Sequence, residues 1–76
     1  MHPASTAVLV LGYALAIPIG FKLAAVVKER RNLAFLGHQF GMILAAVGWF
    51  MRGSTAVGVG HLLWLVGTRL WYAWAK

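Results

Sequence analysis

The sequence predicts an all-α membrane protein, with three antiparallel transmembrane helices joined by short loops in one unit covering residues 1–76. Three observations predict it. Of the 76 residues, 62% are hydrophobic and only 11% are charged, and the mean hydropathy is +0.80. The apolar residues fall into three runs, at about 5–27, 33–51 and 55–74. Each run has the roughly 20 residues that a helix needs to cross the ~30 Å hydrocarbon core of a bilayer. A soluble domain of this size buries only about 60% of the surface its unfolded chain exposes, too little to hide so apolar a composition.

The first run opens at Ser5 and carries Pro18 near its middle. Proline removes a backbone donor and crowds the preceding turn, so a kink that fits a neighbouring helix is expected there. Ala14-Leu15-Ala16 mimics a signal-peptidase site, but no Lys or Arg precedes it, so the run is read as a retained helix. The connectors KERRN and RGST are short, which makes consecutive helices antiparallel neighbours. Backbone polar groups in lipid need partners within the segment, and helices supply them.

Charge sets the expected orientation. Lys22, Lys28, Arg30 and Arg31 cluster at the first connector, against Arg52 alone at the second, while Arg69 and Lys76 return to the first side. The positive-inside rule then places the N-terminus outside and the C-terminus in the cytoplasm, in a bacterial inner membrane or one derived from it. Trp71, Tyr72 and Trp74 would form an aromatic belt on the cytoplasmic side, with Trp49 and Phe50 on the other. Lys28, Arg30, Arg31 and Arg69 are the residues expected at lipid headgroups, Arg69 by snorkelling.

Small residues mark where helices touch. Gly12, Ala16, Gly20 and Ala24 recur at every fourth position of the first run, and Gly37, Gly41 and Ala45 do so in the second. Lipid gives no hydrophobic gain to helix association, so close backbone approach at small residues identifies contact faces. The third run alternates small and large on one side, with Gly60, Trp64, Gly67, Trp71 and Trp74. Three contact faces exceed what one small interior can use. The expected partners are therefore membrane lipids and either other membrane subunits or further copies of the chain.

The chemistry open to the chain is narrow. Glu29 is its one carboxylate side chain, and there is no cysteine. Paired-carboxylate catalysis, carboxylate-bridged metals, thiolate chemistry and intramembrane acidic proton relays are excluded, and an enzyme is not expected. The net charge of +6 has no soluble basic domain around it, so nucleic acid is not an expected partner.

His38 and His61 remain as candidate ligands for a haem or chlorin pigment, each preceded by a glycine that leaves room beside the ring. At 1.5 Å per residue they enter from opposite membrane faces and lie roughly 13 Å apart in depth, so one iron cannot take both. The alternative is a neutral imidazole clasping the next helix, with Gln39 bonding across helices in the same way. Ala34-x-x-x-His38, with Trp49 eleven residues on, resembles the pigment-binding helix of bacterial light-harvesting antenna polypeptides over about sixteen residues. Those polypeptides have one membrane helix rather than three.

Three functions are compatible with these features. One is a non-catalytic accessory subunit packed inside a larger respiratory, photosynthetic or transport complex. A second is a self-assembling lesion former: three helices, an outside N-terminus and very small size resemble the three-helix class of phage holins. Those holins end in a charged hydrophilic tail, whereas this sequence ends Trp-Ala-Lys. A third is a small channel or transporter, which would need rings of carbonyls or charge that the runs do not display.

Overall fold

The computed structural model describes residues 4–75, so Lys76 lies outside the described residues. Four helices follow in order: α1 (Ser5–Gly20), α2 (Leu23–Lys28), α3 (Asn32–Met51) and α4 (Thr55–Trp74). No strand occurs among the described residues. The all-α expectation holds, and the first apolar run is divided. Four residues past Pro18, the Lys22 N–H bonds the Ile19 carbonyl at 3.0 Å, one residue short of helical spacing. Lys22 itself takes φ −113°, ψ 16°. The helix therefore turns at residues 21–22 and restarts as α2.

This break changes the count of membrane spans that length and hydropathy alone support. Among the described residues only α3 qualifies, with 20 residues and a mean hydropathy of 1.5. The break leaves α1 with 16 residues. In α4 the glycines, indoles, His61, Thr68 and Arg69 dilute an otherwise sufficient length of 20 residues.

α3 is the central element. α1 and α4 both pack on it, and α1 and α4 meet each other far less. The fold is long and narrow, with principal extents of 42 × 20 × 15 Å. The α1–α3 seam is built from opposed small residues. A Cβ added to Gly12 would sit 2.6 Å from the Ala45 nitrogen, and one added to Gly41 would sit 2.6 Å from the Gly12 oxygen. Farther along, Leu9 fills the notch at Gly48. Most of the two ladders thus form one antiparallel seam, as their spacing predicts. Ala24 leaves it: α2 starts in a new register, and Ala24 is exposed.

A small apolar core closes the α2 end, where Leu23, Val26 and Val27 meet Phe35 and Tyr72. The Phe35 and Tyr72 rings stack at 4.3 Å. Tyr72 is therefore a core residue, bonded through its hydroxyl to Asn32 Oδ1, while Trp71 and Trp74 remain on the outside.

Both connecting turns end their helices in the same way. After α3, Gly53 adopts φ +79°, with bonds from Gly53 N to Phe50 O and from Ser54 N to Trp49 O. That is the Schellman arrangement, in which glycine takes the left-handed position. After α2 the same pair of bonds runs from Arg30 N to Val27 O and from Arg31 N to Val26 O. Here the left-handed residue is Arg30, at φ +56°.

Arginine in that position carries a backbone cost of roughly 1 kcal/mol, and the side chain offsets it. Its guanidinium donates to the Tyr72 and Ala75 carbonyls at the C-terminus of α4 and lies 5.0 Å from the Tyr72 ring centre. A cation on the last carbonyls of a helix is stabilising. Arg30, expected at a lipid headgroup, is thus a cap that ties the first connector to the end of α4. Arg30→Ala is expected to lower stability by about 1–2 kcal/mol, and Arg30→Gly by less, because glycine takes the left-handed conformation freely. Thermal unfolding of both variants in mild detergent checks the order; equal losses would mean the backbone conformation contributes nothing.

Candidate functional site

The polar side chains of the apolar runs converge on two hydrogen-bonded relays, each joining α1, α3 and α4. In the first, His38 on α3 is 3% exposed and lies beside Gly20, where an added Cβ would stand 3.5 Å from the ring Cε1, in ordinary contact. The Trp64 indole on α4 donates to His38 Nε2 at 3.0 Å, and His38 Nδ1 lies 3.0 Å from the Ala16 carbonyl of α1. An indole N–H can only donate and a carbonyl can only accept. The proton of His38 therefore sits on Nδ1, and its lone pair on Nε2 is engaged by Trp64.

The second relay repeats this logic closer to the other end. Trp49 Nε1 on α3 donates to the Tyr13 hydroxyl of α1 at 2.8 Å, and that hydroxyl lies 2.7 Å from His61 Nε2 on α4. His61 Nδ1 lies 2.8 Å from the Val57 carbonyl, one helical turn back, which fixes the proton on Nδ1. Tyr13 then donates to His61 and accepts from Trp49, so every group in the chain has its complement. A third clasp lies beside the first relay: Gln39 Nε2 donates to Thr68 Oγ1 at 2.7 Å, and Thr68 donates to the Trp64 carbonyl at 2.8 Å.

The fold keeps the two candidate histidines in separate relays, as their depths require. Both show the geometry that orients a ligating imidazole, with Nδ1–H on a backbone carbonyl. A haem or chlorin at His38 would nevertheless have to displace Trp64 from Nε2, and one at His61 would have to displace Tyr13. Among the described residues no three or more His, Cys, Asp or Glu side chains group as metal ligands do.

Of the residues expected at contacts, Gly12, Ala16, Gly41 and Ala45 meet in the α1–α3 seam, a Cβ added to Gly37 would stand 3.2 Å from Ile19 Cδ1, and Gly20 lies beside His38. Gly60 and Gly67 meet nothing within 4 Å. They border an open depression on the outside of α4, together with Leu63, Trp64 and Trp71. The sequence reading overlooked Gly58, which seats the Phe50 ring 2.7 Å from where its Cβ would stand. Its heptad spacing to Leu65 and Tyr72 on the α3-facing side was the available signal.

Glu29, Arg30 and Arg31 sit at one end and Arg52 at the other, with Lys22 at the α1–α2 break and Arg69 within α4. Glu29 pairs with Arg31 across 3.9 Å, both largely exposed, a contact worth at most a few tenths of a kcal/mol. Arg52 at the opposite end donates to Thr6 at 2.6 Å and lies 6.0 Å from the Trp49 ring centre. Lys28 and Arg69 are exposed. No family model, curated protein or solved structure matches this chain. Its function is therefore read from its own residues.

Proposed function

We propose that this chain is an integral membrane protein whose three helical layers all cross the bilayer, and that it serves as a non-catalytic subunit packed inside a larger membrane assembly. The observation that carries the membrane part is an inverted distribution of polarity. Among the described residues, 20 large apolar side chains are exposed, from Val10 and Leu11 on α1 to Trp71 and Trp74 on α4, whereas His38 and Thr68 are buried. Only 33% of the apolar window of α3 is buried, although α3 is the central helix. A soluble protein with that surface would aggregate, while in lipid it is ordinary.

The other two spans follow by length. α1 and α2 together run from residue 5 to residue 28, roughly 36 Å if measured along a helix, and α4 covers about 30 Å. The 42 Å long axis matches the ~40–45 Å of a bilayer with its headgroups. The orientation proposed is an outside N-terminus and a cytoplasmic first connector, on the charge asymmetry.

The subunit part rests on α4. Its outer stripe places Gly60 and Gly67 in open space between exposed indoles, a surface suited to close approach by another helix. The lesion-forming and channel readings draw less support, because Tyr13, His38, Gln39, His61 and Thr68 are bonded to one another or to backbone inside the chain. A wet pore wall would have to come from other groups.

The test is purification of tagged protein from its native membrane in mild detergent, with a visible spectrum and mass spectrometry on one peak. Larger proteins in fixed ratio are expected. A peak holding only this chain in large oligomers would favour the lesion former instead.

A further inference from the structure

We infer that α1 carries a built-in phospholipid site, with the phosphate held by Arg52 and Thr6 and one acyl chain lying along the helix. The inference rests on the membrane reading above. Its first element is a groove of about 510 Å³ whose polar end is formed by Thr6 and Arg52 and whose length is walled by Val10, Ala14, Ile17 and Pro18. Tyr13 and Ile17 also line a second groove of about 350 Å³, floored by His38 and Met42 of α3 and overhung by Trp64. The two share those residues and so form one continuous strip along α1. From Thr6 to Phe21 it measures roughly 22 Å at 1.5 Å per residue, enough for a chain that crosses the ~15 Å of one leaflet.

The second element is the state of Arg52. A guanidinium has five N–H donors, and the bond that the structure gives this side chain goes to Thr6 Oγ1. Its Nε is buried with no hydrogen-bond partner, so the Nη groups are the donors that a phosphate in the groove would meet. No carboxylate can serve it from within the chain, since Glu29 stands at the opposite end beside Arg31. An arginine fork with open donors, fixed over Trp49 at the rim of an apolar groove, matches a phosphate diester with a hydrocarbon tail. A partner helix would have to bring a carboxylate to this depth to answer the same cation, whereas a phospholipid supplies the anion and the tail together.

The experiment uses the full chain, extracted in mild detergent doped with phosphatidylglycerol and examined by native mass spectrometry. The wild-type chain is expected to retain one phosphatidylglycerol. Arg52→Gln is expected to reduce retention about tenfold. Ala14→Trp, which obstructs the groove from an exposed position, should reduce it as well, and Arg31→Gln at the other end should leave it unchanged. Equal retention by all four proteins would overturn the site. So would displacement by inorganic phosphate together with full binding by Ala14→Trp, which would mean a phosphate subsite with no place for a tail. Alkaline extraction of the same membranes separates the two readings. A chain released by alkali removes the membrane reading and the lipid site together, whereas a chain that stays in the membrane but retains lipid equally in all variants removes only the site.

Discussion

Gly41→Leu is expected to separate α1 from α3. A single added carbon at Gly41 would already lie 2.6 Å from the Gly12 oxygen and 2.8 Å from the Ala16 nitrogen. Both are backbone atoms, so no side-chain rotation can relieve the clash, and the helices must move apart along the whole seam. Overpacking by a methyl or two costs about 1–3 kcal/mol in a well-packed interior, and a leucine between two backbones costs at least the top of that range. Set against a total stability of roughly 5–15 kcal/mol, this is a large fraction. Thermal unfolding in detergent should show a drop of more than about 10 °C. Leu63→Ala, at a side chain 68% exposed, should stay within about 0.5 kcal/mol of wild type. Similar losses in the two variants would mean that the seam is not what holds α1 in place.

The second large effect is expected at His38. Replacement by Ala leaves the Trp64 indole without its acceptor, the Ala16 carbonyl without its imidazole donor, and a void at one of the two points where α1, α3 and α4 are joined. Interhelical hydrogen bonds in membranes average only ~0.6 kcal/mol, so the void is the larger part of a loss of about 2–4 kcal/mol. His38→Phe fills most of the space and isolates the hydrogen bonds, at about 1–2 kcal/mol. A double-mutant cycle with Trp64→Phe should recover a coupling of roughly 0.5–1 kcal/mol. A coupling near zero would mean that the relay is geometry without energy, and the case for His38 as a pigment ligand would then strengthen.

The outer stripe of α4 gives the opposite pattern. Gly60 and Gly67 have no neighbour to clash with, so Gly60→Leu should leave the isolated chain as stable as wild type or slightly more so, since glycine is a poor helix former. If α4 docks the proposed assembly, the same change should release the chain from it in the native membrane. Co-purification from both variants measures this, and full retention of Gly60→Leu would remove α4 as the docking face.

Much of this fold is legible in the sequence because close helix packing is written in residue size. Strict four-residue spacing of Gly12 and Ala16, and of Gly41 and Ala45, identified the tightest contact before any partner was known. The same spacing could not say that the ladder stops at Gly20. That depends on how Pro18 and Lys22 reset the helix, and Ala24 looks like its predecessors until the register is lost. Nor could spacing distinguish Gly41, which meets backbone, from Gly60, which meets nothing, because both are glycines on an apolar helix.

The polar residues divide similarly. That His38 and Gln39 would clasp neighbouring helices follows from the cost of an unbonded polar group in lipid. Their partners, Trp64 and Thr68, are set by helix rotation and were not readable. The role of Arg30 was hidden most completely. A charge in a connector reads as topology, and only its left-handed backbone, a property of the turn after α2, turns the guanidinium toward the end of α4.

Whether all three proposed apolar layers cross the bilayer is directly measurable, because the sequence has no cysteine. Single cysteines at Glu29, Ser54 and Leu62 would report the first connector, the second connector and the outer surface of α4. Intact and inverted membrane vesicles are treated with a membrane-impermeant maleimide. Glu29→Cys is expected to react only from the cytoplasmic side, Ser54→Cys only from the other, and Leu62→Cys from neither. Reaction of Glu29→Cys and Ser54→Cys from the same side, or of Leu62→Cys from either, would contradict the proposal.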